Sequence, residues 1–60
     1  MPAKFVLQNN SLGDYYFNLH TDDGDIIASS EVYQSKDAAL KGIELVQTNA
    51  TMASVEDETT

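Results

Sequence analysis

The densest cluster of ionisable side chains is Asp22, Asp23 and Asp25 around Gly24, and just upstream stands the sequence's single imidazole, His20. Three carboxylates beside a glycine are the raw material of a calcium loop, whose oxygen ligands sit at fixed offsets about a sharp turn. The offsets fail. With Gly24 as the sixth residue of such a loop, the first, third and twelfth positions fall on Leu19, Thr21 and Ser30, and none of them carries a carboxylate. The run reads as a solvated turn.

His20 is suited to proton transfer, and Glu31 and Tyr33, which flank the entry to the helix, are further titrating groups. A small enzyme or catalytic accessory using His20, Glu31 and Tyr33 is therefore the alternative function. Other features weigh against it. The chain has no cysteine nucleophile, and its three glycines are dispersed where a phosphate loop needs them clustered beside a lysine. The reading favoured here is non-enzymatic, with no cofactor and no metal. One histidine without thiols rules out an N/S zinc centre.

Charge narrows the partners. Ten acidic residues against three lysines give a formal net charge of -7, which repels phosphate backbones and anionic lipid. Nucleic acid is disfavoured, and no membrane association is expected. No apolar run reaches the length of a spanning helix or follows a basic leader, so the expected location is cytoplasmic.

The elements that must position these groups follow from period and turn chemistry. Residues 4–8 alternate, with Phe5 and Leu7 on one side. A polar stretch over residues 9–14 forms a loop, and residues 15–21 alternate again with Tyr15, Phe17 and Leu19 together. Asp23-Gly24 then suits a two-residue type I′ hairpin. That turn pairs Asp22 with Asp25, Thr21 with Ile26, His20 with Ile27, Leu19 with Ala28 and Phe17 with Ser30, and sets Glu31 across from Tyr16. Phe17, Leu19, Ile26 and Ala28 then face the core. Tyr16, Asn18, His20 and Ile27 face outward, and with Glu31 and Tyr33 at the approach to the helix they are the candidate partner-facing residues.

Residues 31–34 lead to Ser35, a fitting N-cap, with Asp37 favourable to the helix dipole. The helix is expected over residues 36–47, with Ala39, Leu40, Ile43 and Val46 as its apolar stripe and Asn49 as a left-handed cap. Residues 51–55 are weakly patterned ahead of the acids Glu56, Asp57 and Glu58. A single domain of 60 residues buries a small core. With disulfides and metal excluded, association is the remaining source of stability.

In that order and spacing, several pieces resemble the YegP-like family of short bacterial domains of unknown function. They are Asp23-Gly24-Asp25-Ile26-Ile27-Ala28, Ser30-Glu31, Tyr33, Ser35-Lys36, Ala38-Ala39, Gly42-Ile43, Val46 and Asn49-Ala50, with Lys4-Phe5 ahead of them. Phe17, Asn18, His20 and Val32 stand where the family typically has Trp, Arg, Lys and Gly, so the outer face is less basic than usual. The resemblance implies an α+β fold, a β-β-β-α-β unit whose antiparallel sheet packs one helix on a face. It also implies a homodimer that shares one sheet and exchanges C-terminal strands, residues 52–56 being the donated strand. The ordered core would then span residues 4–56 and the acidic tail 57–60. The partner beyond the second copy is expected to be a protein or a small-molecule ligand.

Overall fold

A computed structural model describes residues 2–60. Three antiparallel strands, β1 (Lys4–Asn9), β2 (Tyr15–His20) and β3 (Ile26–Ser29), form a sheet in chain order, followed by one helix, α1 (Lys36–Ala50). The fold class is α+β, as expected. β1 and β2 pair without interruption from Lys4 opposite His20 to Asn9 opposite Tyr15. Because side chains alternate along a strand, Phe5, Leu7, Phe17 and Leu19 fall on one face. The connecting loop is held by Asn10, whose Oδ1 accepts from the N–H groups of Leu12 and Asp14 at 2.9 and 3.0 Å.

The second hairpin departs from the two-residue turn. Gly24 has φ +93°, and among the described residues no non-glycine residue has positive φ, so Asp23 does not adopt the conformation that type I′ demands of it. Instead Gly24 N–H donates to Thr21 O at 3.0 Å and Thr21 N–H to Asp25 O at 2.8 Å. This is a three-residue loop with glycine in the left-handed position, which avoids placing the Cβ of Asp23 at positive φ. Thr21 therefore faces Asp25 and His20 faces Ile26, contrary to the expected Thr21–Ile26, His20–Ile27 and Asp22–Asp25 pairs. A bulge between Leu19 and His20 then leaves Ile27 without a partner and restores Leu19 opposite Ala28. The expected pairing is recovered beyond it, with Ser30 N–H donating to Phe17 O at 2.8 Å. Ile26 is the casualty. Standing opposite His20, it is 57% exposed and lies outside the core face assigned to it.

After β3 the ladder slips once more. Phe17 N–H bonds to the Ser30 hydroxyl at 2.9 Å, and the next backbone pair joins Tyr15 to Tyr33, with N–O distances of 2.8 and 2.7 Å. The pairing shifts from Phe17–Ser30 to Tyr15–Tyr33, so the β3 side carries an extra residue and Glu31 and Val32 together span the place across from Tyr16, where Glu31 alone was expected.

Ser35 caps α1 as expected: its backbone is extended, with φ -136° and ψ 153°, and its hydroxyl accepts from Ala38 N–H at 3.1 Å. The helix runs past residue 47 to Ala50. Asn49 does not turn left-handed; its side-chain amide donates to Leu45 O at 2.8 Å, keeping it in the helical run. Ala39 and Gly42 are the buried helical residues, whereas Leu40 is 47% exposed and so lies off the packed stripe.

The core is thin. Among the described residues Phe17 and Ala39 are the buried apolar ones, and no large side chain is fully enclosed. Residues 51–60 are exposed and 53–60 take no regular structure in the single chain, with Met52 79% and Val55 95% exposed. The radius of gyration, 13.1 Å, exceeds the roughly 10 Å of a compact chain of this length.

Candidate functional site

A concave, apolar region lies on the helix-bearing face of the sheet. Phe17 is its floor. Phe5 meets Phe17 edge-on, with centroids 5.7 Å apart, and Tyr33 lies nearly parallel to Phe17 at 6.1 Å and 11°. Helix α1 comes close enough to hold Tyr33 there because residue 42 is glycine. A Cβ at Gly42 would stand 2.5 Å from Tyr33 Oη and 2.8 Å from Cζ, nearer than real Cβ atoms approach, and 3.2 Å from Phe17 Cε2, a tight contact. Gly42 thus fixes the helix-to-sheet distance.

Between β3 and Val46 of α1 this packing leaves an open cleft of about 250 Å³. Phe5, Phe17, Leu19, Ala28, Tyr33 and Val46 line it, with Ser29, Ser30 and Glu31 along one margin. Ser30 shapes that margin: its hydroxyl takes the Phe17 N–H and donates to Glu31 O at 2.7 Å. The cleft is a place to bury apolar side chains.

The opposite face is polar. Asn18, central on β2, is 8% exposed; its Oδ1 accepts from Ser29 Oγ at 2.7 Å, and its Nδ2 donates to Gln8 Oε1 at 3.4 Å. This ladder ties all three strands together. Two rungs away, His20 Nε2 is buried without a hydrogen-bond partner among the described residues.

The candidate residues therefore divide. Tyr16, Asn18 and His20 share the outer face by strand alternation, whereas Glu31 and Tyr33 line the cleft on the helix side. Ile27 is 62% exposed at the bulge. His20 is not brought together with Glu31 and Tyr33. Sequence reasoning missed Ser30 as the residue at which the ladder slips, and, though close packing against the sheet would explain a glycine at position 42, it missed Tyr33 as the side chain that packs there. A glycine within a helical pattern was the available signal for the second. Outside both regions, the Thr59 hydroxyl and then its N–H hold the exposed Asp57 carboxyl below its usual range.

Residues 10–57 match the family described as "Domain of unknown function (DUF1508)". The chain belongs to this family. Among YegP-like relatives, the UPF0339 protein PA0329 of Pseudomonas aeruginosa is 50% identical over 50 residues, which cover 83% of this chain and 46% of that protein. The UPF0339 protein YegP of Yersinia pestis is 53% identical over 38 residues, covering 63% of this chain and 34% of that protein. The chain thus spans less than half the length of either. An NMR solution structure of a protein from Haloferax volcanii superposes with a TM-score of 0.84 at 37% identity, covering 93% of this chain and 95% of that one. An archaeal homologue widens the family beyond the bacteria expected from the resemblance. Among the described residues no helix is long and apolar enough to cross a membrane.

Proposed function

We propose that this YegP-like chain is a non-enzymatic interaction module that works as a homodimer, each copy donating its C-terminal segment to the other. One observation carries the reading: an apolar cleft lies open beside β3 while the apolar residues of the C-terminal segment stand in water. Each leaves the other's apolar surface uncovered, and joining them between copies removes both from solvent. The thin core gives the same push, since a chain this short gains most from a second one.

The lengths of the relatives support the reading. The Haloferax chain is matched almost end to end, whereas the Pseudomonas protein is more than twice the matched length. A unit that needs a neighbour can find it in a second copy or further along its own chain. In the dimer the outer face, with Tyr16, Asn18 and His20, remains for a protein or small-molecule partner. The separation of His20 from Glu31 and Tyr33 favours binding over catalysis there. Absence of cysteine is compatible with the cytoplasm, the compartment assigned to it in this reading.

Sedimentation equilibrium of the intact chain tests the pairing. A species of about 13.2 kDa, twice the 6.6 kDa chain, is expected at micromolar concentration. A monomer throughout would overturn it.

A further inference from the structure

Strand donation leaves open which side chains of residues 52–56 enter the cleft, and this chain's own residues decide it. In an extended segment alternate side chains point to opposite faces. Ala53 and Val55 therefore share one side, and Met52, Ser54 and Glu56 the other. The cleft is apolar apart from its margin, where Glu31 stands. A segment presenting Met52, Ser54 and Glu56 would bury one thioether chain, but at the cost of a hydroxyl without a partner and a second carboxylate brought toward Glu31. A segment presenting Ala53 and Val55 carries only methyl groups inward and leaves Glu56 in water.

The edge is decided by the same surface. Four consecutive residues on the cleft's margin, from Ala28 through Glu31, belong to β3 and its continuation, and β3 is exposed along its whole length. The edge at β1 begins beside Pro2 and Lys4, residue types that discourage further pairing.

We propose, resting on the paired reading above, that residues 52–56 of a second copy lie along β3 with Ala53 and Val55 turned into the cleft. Val55 is the anchor, being 95% exposed in the single chain. It meets the surface formed by Phe17, Tyr33 and Val46. Met52, Ser54 and Glu56 emerge on the outer face.

Three substitutions in the intact chain test this phase by sedimentation, with circular dichroism as the check on folding. Val55→Asp should raise the dimer dissociation constant by at least about 100-fold, because it places an unpaired carboxylate in an apolar cleft. Ser54→Asp adds the same charge one residue away and should change it by less than about threefold, the scale of an exposed charge. Val55→Ala, which removes only methyl groups, should raise it by roughly tenfold and keeps the test readable if the Asp variant loses its fold. A wild-type dimer that tolerates Val55→Asp, or that Ser54→Asp dissociates as strongly, overturns the phase alone. A wild-type chain that never dimerises overturns the pairing on which the phase rests.

Discussion

Tyr33 occupies the space that a side chain at Gly42 would need: a Cβ there would lie 2.5 Å from its hydroxyl oxygen. The two residues set the height of the helix above the sheet. Alanine would favour the helix by about 1 kcal/mol over glycine, yet overpacking costs typically 1–3 kcal/mol. Because Tyr33 is stacked on Phe17, it has little room to yield. Gly42→Ala should therefore destabilise the protein by up to about 2 kcal/mol, read by urea unfolding at fixed protein concentration. Combining it with Tyr33→Phe, which removes the nearest atom, should restore part of the loss. An Ala variant as stable as the parent would mean the contact is relieved by a small shift.

The ladder through Asn18 makes a second test. Ser29→Ala removes the 2.7 Å hydrogen bond to Asn18 Oδ1 and leaves that buried oxygen without its donor. A loss of about 1–2 kcal/mol is expected. Unchanged unfolding would show that water replaces the hydroxyl and that the outer face is wetter than its burial implies.

Gly24 has φ +93° with open space around it, so any cost of a side chain there is conformational and not steric. Gly24→Ala should cost about 1–2 kcal/mol, and Gly24→Asn less, because asparagine tolerates the left-handed region. Equal losses for the two would argue against a backbone cause.

Ser35→Ala removes the hydroxyl that accepts from Ala38 N–H. About 1 kcal/mol should be lost, while Ser35→Asp should keep most of the stability because a carboxylate accepts the same bond and suits the helix dipole. A neutral alanine variant would indicate that water caps the helix.

These local devices were legible in the sequence to different depths. Ser35 was readable because capping is a property of a few adjacent residues. The Leu19–Ala28 pair was also readable, though for a reason the sequence does not display: the three-residue loop shifts the ladder and the Ile27 bulge shifts it back. Dipeptide preference pointed to Asp23-Gly24 as the turn, but it could not weigh the positive φ that Asp23 would have had to adopt. The placement of Glu31 was lost at Ser30, whose hydroxyl substitutes for a backbone carbonyl in the ladder, an exchange no periodicity records. The division of His20 from Glu31 and Tyr33 follows from that slip. The unpaired cleft became visible only once helix and sheet were set at the distance Gly42 allows.

In the proposed dimer the C-terminal segment of one copy fills the cleft of another. The most direct test of this arrangement is an isotope-filtered NMR experiment on an equal mixture of labelled and unlabelled chains. Intermolecular nuclear Overhauser effects are expected from the Val55 methyls to the rings of Phe17 and Tyr33. A mixture that shows none at millimolar concentration, with Val55 keeping the free motion of an exposed tail, would contradict it.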